Sequence, residues 1–237
     1  MCKIRIRFKK NGYMIFTSHL DLMRIIERTL RRARVPISFS QGFNPHAKMS
    51  FATALALGVS SDGEYMDIEL DEKVDLDNLA KRISKELPEG IEIIQYKYID
   101  KKAKSLMSII KYSSYVINLK LEKKISEEEL RGNIEEFLKE DEIIIEKYSK
   151  KKNKTRKVDI KPMIKSIELV NIDDENVLLK ALLAAGSEQN IKPEAVMEKM
   201  FEKMDFFNKE YVRVHRLELY ALNKKDKMVT PLDDSIA

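Results

Sequence analysis

KIRIRFK, residues 3–9, alternates strictly, with Ile4, Ile6 and Phe8 on one side and Arg5 and Arg7 on the other. A period of two with one apolar side marks a half-buried strand, so the chain opens on one. Asn11-Gly12 then supplies a turn. Ser18-His19-Leu20-Asp21 has the spacing of an N-cap hydroxyl followed three residues on by a carboxylate, which predicts a helix from about 19 to 34, ending before Pro36. Strand character returns over 49–57 and 64–70, where Met66, Ile68 and Leu70 alternate with Asp67, Glu69 and Asp71. Leu76 to Leu87 reads as an amphipathic helix stopped by Pro88 and Gly90, and Ile91 to Tyr98 as a fourth strand. Strand, helix, strand, strand, helix, strand is the order of the ferredoxin-like motif, with two helices over one face of an antiparallel sheet.

The same order recurs downstream, without sequence identity between the halves. Strands are expected at 115–121, 142–148, 164–170, 177–184 and 211–220, with helices over 126–138 and 193–204 and a Lys-rich segment after Tyr148. The expected architecture is therefore α+β, two tandem ferredoxin-like (βαββαβ) domains with antiparallel sheets, spanning 1–100 and 108–237. Lys101, Lys102 and Lys104 interrupt the apolar pattern at the joint.

With 43% hydrophobic and 35% charged residues in 237, the composition is that of a soluble globular chain. No apolar run approaches the roughly 18 residues of a membrane helix. The start, MCKIRIRFKK, lacks a signal-peptide apolar region, so the expected location is cytoplasmic with no membrane partner. A single cysteine, Cys2, and three scattered histidines make no cluster for zinc or iron and sulfur, and neither a metal nor another cofactor is expected. Charge is segregated along the chain. Residues 1–60 hold eleven Lys/Arg against Asp21 and Glu27, residues 61–100 hold five against twelve acids, and Lys147 to Lys165 holds nine against Asp159. Such blocks are the electrostatic footprint of polyanion binding or, in a Lys-rich chain, merely solvated faces.

On a helical wheel Leu22, Ile26, Thr29, Leu30 and Ala33 gather on one face and Arg24, Arg28 and Arg31 on the other, flanked by Arg32 and Arg34. Five arginines and no lysine over this stretch favour planar, bidentate contact with phosphate over mere solubility. The loop SQGFNPH, 40–46, follows. Gly42 permits a positive φ and Pro45 stiffens the bend, presenting Gln41, Asn44, His46 and Lys48, while Phe39, Phe43 or Phe51 anchors the loop or offers a stacking surface. The bland alternative is a tight connection pinned by Phe. Arg5 and Arg7 are expected beside Asp67 and Glu69, as cross-strand ion pairs that neutralise the open sheet face, with a divalent-cation site on the two acids the lesser alternative. His19 and His46 are the only candidate catalytic bases in the basic half, His19 being expected to pack at its helix start. In the last strand His215, between Arg213 and Arg216, could touch phosphate, and Leu217 and Leu219 break the alternation there as a bulge would.

FTSHLDLMR at 16–24, Glu27-Arg28, Arg31-Arg32-Ala33, Pro36, SQGFNPH at 40–46 and the stretch from Gly58 to Glu64 together resemble an uncharacterised bacterial family described as radical-SAM-linked or radical-SAM-associated. Val158-Asp159-Ile160-Lys161-Pro162, the loop from Gly186-Ser187 to Lys192-Pro193, and Arg216 extend the likeness, while Ala47, Lys161 and Lys192 depart from the commoner residues. The resemblance implies a partner, a radical-SAM protein with a cobalamin-binding-type domain, because this chain lacks the three-cysteine motif of such a cluster. A looser likeness is to the CRISPR repeat-processing endoribonucleases, whose glycine-rich loop is missing from 217–237. The expected function is an RNA-binding accessory protein that presents RNA to a radical-SAM modification enzyme. The alternatives are a module docking that partner without RNA, or a metal-independent endoribonuclease using His46.

Overall fold

The alternation at 3–9 is realised as strand β1 (Cys2–Lys10) in a computed structural model that describes residues 2–149 and 153–236. These divide into two units, Met1–Lys111 with Arg216–Ala237, and Tyr112–His215. Residues 216–237 thus join the first unit, where the sequence-based division had placed them in the second domain. The protein is an α+β chain with mostly antiparallel strand pairing. No helix among the described residues is long and apolar enough to cross a membrane.

In the first unit β1 lies between β3 (Ser60–Leu70) and β4 (Ile91–Ile99), antiparallel to both. The strand expected over 49–57 shrinks to β2 (Met49–Phe51), which pairs with β3 at Ile68 to Met66. Two helices, α1 (His19–Arg32) and α2 (Leu76–Glu86), supply the other layer. Their apolar faces meet the apolar side of β1. Ile4, Ile6 and Phe8 pack with Leu22, Ile26 and Leu30 of α1, Leu79 and Ile83 of α2, and Met66, Ile68 and Leu70 of β3. Each such side chain, when fully buried, contributes about 1.5–3 kcal/mol. The Ser18 hydroxyl caps α1 by accepting from the Asp21 N–H at 3.2 Å. At the other end Arg34 takes a left-handed conformation (φ 51°) and the Val35 N–H returns to the Leu30 carbonyl, so the helix stops at Arg32, ahead of Pro36.

The polar side of β1 differs from the expected open charge ladder. Arg5 does face Asp67, and its Nε and Nη2 donate to the carboxylate at 2.7 and 3.0 Å, but both residues are buried. Arg7 faces Tyr65 and pairs with Glu218 at 2.8 Å, and Glu69 pairs with Lys48 at 3.4 Å instead of an arginine. The reason is the C-terminal segment. Strand β10 (Phe207–Leu222) lies next to β3, and the chain beyond it brings the Pro231 carbonyl within 2.9 Å of Arg5 Nη1. Gly63 permits this approach, since a Cβ there would sit 2.7 Å from the Glu218 Cα. A second buried pair, Arg216 with Glu64 at 2.8 Å, shares its surroundings with Lys10, whose ammonium donates to the Thr17 carbonyl at 2.9 Å. A two-residue strand, β11 (Met228–Val229), closes against β10.

After a short helix, α3 (Leu106–Ile109), strand β5 (Ile110–Leu121) leads into the second unit, lying between β10 and β9 (Asn176–Ala184), with β8 (Ile164–Ile172) outside β9. Helices α4 (Glu127–Lys139), capped by Ser126, and α5 (Pro193–Lys203) occupy the crossovers. The strand expected at 142–148 forms as β6 (Ile144–Ser149), but it stays outside this sheet. It pairs with β7 (Lys154–Asp159) as a separate two-stranded ribbon, so the Lys-rich segment contains a strand that composition hid. Asp159 braces the ribbon's base by accepting from the Ile143 and Lys161 N–H groups at 2.9 and 3.0 Å. Lys150, Lys151 and Lys152 lie outside the described residues.

Candidate nucleic-acid interface

Because α1 buries Leu22, Ile26, Thr29 and Leu30, the 3.6-residue period turns Arg24, Arg28, Arg31 and Arg32 outward; Arg34 lies just beyond the helix, and all five are exposed. Arg24, Arg28 and Arg31 follow one another on one face over about 10 Å, at 1.5 Å per residue. Local carboxylates already engage part of this set. Arg24 pairs with Asp21 at 3.1 Å, Arg31 with Glu27 at 2.6 Å, and Arg32 turns toward α2 to hold both the Glu86 carboxylate at 2.9 Å and its backbone carbonyl at 2.7 Å. Arg28 has no carboxylate partner among the described residues. The Ser18 hydrogen bond, and after it Arg24, hold the exposed Asp21 carboxyl below its ordinary value. Exposed pairs of this kind contribute little in water, so a polyanion can exchange for them.

The segment that follows is a small hairpin. Phe39 bridges to Ala47, the Ser40 N–H donates to the His46 carbonyl at 2.9 Å, the His46 N–H returns to the Ser40 hydroxyl at 2.9 Å, and the Lys48 N–H reaches the Ser38 carbonyl at 2.8 Å. The base is tied down further by the Ser38 hydroxyl on Asp71 at 2.6 Å. Above it Gln41, Gly42, Phe43, Asn44, Pro45 and His46 form an exposed tip, with Gly42 at φ +118° in a conformation that disfavours a side chain. Arg31 joins helix to hairpin, its guanidinium lying 5.3 Å from the centre of the Phe39 ring. At the other end of α1, His19 meets Phe51 edge-on at 5.5 Å, as a packed histidine would.

The structure therefore brings Arg31, Phe39 and the hairpin base together and leaves Gln41, Asn44 and His46 on an open tip. Lys48 sits at the base beside Glu69, and Arg32 faces α2. In the second unit the ribbon's alternation puts Lys147 directly opposite Arg156, with Lys154 on the same face, while Glu146 and Lys157 face each other on the reverse. Like charges directly opposite destabilise a ribbon unless an anion lies between them.

Sequence reasoning missed the buried charges at the core of the first unit. Burial, then the neighbouring Glu218 carboxylate, pushes the Tyr65 hydroxyl above the ordinary phenol range, and burial likewise raises Glu218 and lowers the Lys10 ammonium. Arg216, the neighbour of His215 in the last strand, is buried against Glu64. Exposed Tyr13, Phe16, Leu20 and Leu57 were also missed; the Gly58 N–H on the Ile15 carbonyl at 2.9 Å ties the last of these to the turn that carries the first two.

A family model described as "Uncharacterized protein conserved in bacteria (DUF2344)" matches residues 3–193. No curated protein matches the chain. Among solved structures, a chain of a "Cbf5-Nop10-Gar1 Complex" is similar in fold at 13% identity and a TM-score of 0.51, covering 91% of this chain and 48% of that one. A chain from "H/ACA RNP bound to a substrate RNA containing 2'-deoxyuridine" has 14% identity and a TM-score of 0.47, with 90% of this chain and 46% of that one covered. The chain thus spans about half the length of the solved chains it matches.

Proposed function

The chain belongs to that uncharacterized bacterial family, DUF2344, and from its own geometry we propose that it binds RNA through the arginine face of α1 and the adjoining 38–48 hairpin. The observation that carries this reading is the join at Arg31, which sets exposed guanidinium groups beside a braced loop whose tip carries Gln41, Asn44 and His46. Phosphates take the arginines, with Arg28 free of carboxylates among the described residues and Arg24 and Arg31 released from weak exposed pairs. Within the second unit, Lys147, Lys154 and Arg156 on one ribbon face make a separate set of phosphate contacts. The strand orders β4-β1-β3-β2 and β10-β5-β9-β8 support reading both units as ferredoxin-like, with the ribbon inserted in the second between its first helix and second strand. In this reading the protein is a cytoplasmic accessory factor that presents RNA to a radical-SAM modification enzyme.

Counterion release makes the test quantitative. Each phosphate neutralised on a single strand contributes about 0.7 to the slope of log affinity against log salt, so Arg24/Arg28/Arg31→Ala should lower that slope by about 2. Arg156→Ala alone should lower it by about 0.7. Equal affinity and slope for wild type and triple variant on total RNA would remove the reading.

A second reading has its own observation. Tyr13, Phe16, Leu20 and Leu57 are exposed at 91, 67, 64 and 65% around the start of α1, an apolar surface of the kind that docks a protein. The radical-SAM partner is the occupant this reading names. Co-purification that survives nuclease and high salt, and is lost in Phe16→Glu/Leu20→Glu, would favour docking without RNA.

A further inference from the structure

Three phenylalanines flank or occupy the hairpin, and the structure gives them different work. Phe39 sits at the base beneath the Arg31 guanidinium, partly buried against the core. Phe51 is held edge-on by both Phe8, at 6.2 Å, and His19, at 5.5 Å. Those two are anchors. Phe43 touches neither the core nor a described ring, and its relative exposure of 113% is that of a side chain extended wholly into water.

A phenyl ring on a flexible loop would fold back onto apolar surface, because burying it is worth about 1.5–3 kcal/mol. Here folding back is opposed by the closed base of the hairpin, formed by the Phe39–Ala47 bridge and the reciprocal Ser40–His46 hydrogen bonds at 2.9 Å, and by Pro45 on the other side. Gly42 adds no obstruction, since a Cβ there would meet nothing within 4 Å. The tip therefore holds an aromatic face away from the body, beside the amides of Gln41 and Asn44 and the His46 imidazole. That pairing of a π-face with donors and acceptors matches an unstacked base. It does not match duplex RNA, whose bases hide their faces and whose deep groove admits no side chain.

We infer that the hairpin tip recognises an unpaired nucleotide, with Phe43 as the stacking platform and Gln41 and Asn44 positioned for the base edge, while the α1 arginines follow the flanking phosphates. The inference rests on the RNA-binding reading above and narrows it to single-stranded RNA or a flipped-out base.

The chain contains no tryptophan, so Phe43→Trp introduces a sole indole at the point of contact without touching the core. Titrating that full-length variant with a labelled single-stranded RNA of about a dozen nucleotides should quench the indole in step with the rise in RNA anisotropy. The same strand in a blunt duplex should leave the emission unchanged. Phe43→Ala should weaken the single strand at least about fivefold, the low end of what stacking on an aromatic contributes, and leave duplex affinity as it was. Anisotropy that rises without quenching, together with wild-type affinity in Phe43→Ala, overturns the stacking inference while RNA binding stands. No anisotropy change with either RNA overturns the reading beneath it. A blue shift of the indole on adding the radical-SAM partner, with RNA inert, makes the tip a protein contact and overturns both.

Discussion

Replacing Asp67 by asparagine probes the buried charge row at its most enclosed point. The carboxylate is 1% exposed, accepts from Arg5 Nε at 2.7 Å and Nη2 at 3.0 Å, and lies 3.3 Å from Lys3 Nζ. Asparagine keeps the volume and one acceptor oxygen but loses the charge. Arg5, itself 3% exposed, is then an uncompensated buried cation with a second cation beside it. Removing one partner of a buried pair costs about 3–5 kcal/mol, against a total stability of about 5–15 kcal/mol. In a chain of this size each kcal/mol moves the melting midpoint by roughly 2–4 °C, so circular dichroism should show a fall of about 6–20 °C. The double variant Arg5→Met/Asp67→Leu removes both charges of the pair, leaving the Pro231 and Lys104 carbonyls and the 13% exposed Lys3 ammonium without these partners, so it should recover part of that loss. A single-variant shift below about 2 °C, or a double variant as damaged as the single, would refute the claim that this pair is coupled and dry.

Gly63→Ala should destabilise by roughly 1–3 kcal/mol in urea titration, because the new methyl meets backbone of β10 at 2.7–2.8 Å and neither strand can yield without losing Glu218. Ser18→Ala removes the α1 cap, at a cost of about 1 kcal/mol, and also the first cause of the low Asp21 pKa, so NMR titration of Asp21 should move up toward its ordinary value. Glu218 tests the pH sign. Burial raises its carboxyl above the ordinary 4.5, so protonation favours the folded state and this group's contribution is complete below about pH 4.5 and lost as pH rises through its folded value. The stability of wild type minus that of Glu218→Gln should therefore shrink from acid to neutral pH, and a pH-independent difference in urea midpoints would show that Glu218 is not desolvated.

Element types were legible wherever the chain's own period dictated them. β1, α1, α2 and β4 were readable within a residue or two because one apolar face per element is a local property. The strand predicted over 49–57 shortened because Ala52 and Leu55 are buried from loop positions, so apolar content there did not mean strand. Strand β7 was invisible because KTRKVD has no apolar face until Val158; it is held by pairing with β6. Of the candidate site, the arginine face could be placed from the helical wheel, whereas the pairing of Arg32 with Glu86 and the sorting of Phe39 and Phe51 from Phe43 depended on what the helix packs against.

From its residues alone this protein was committed to an arginine-faced helix over an amphipathic strand and to a stiffened Gly/Asn-Pro bend, since periodicity, capping and φ restriction act within a few residues. Only the fold decided that the other side of β1 would be buried, because the groups that cover it are distant in sequence: Tyr65 meets Glu218 across 153 positions and Glu64 meets Arg216 across 152. A strand's polar side is equally suited to water and to a buried row of opposite charges. Which it meets depends on whether a remote segment arrives with the matching charges, and here Gly63 leaves room for it to do so.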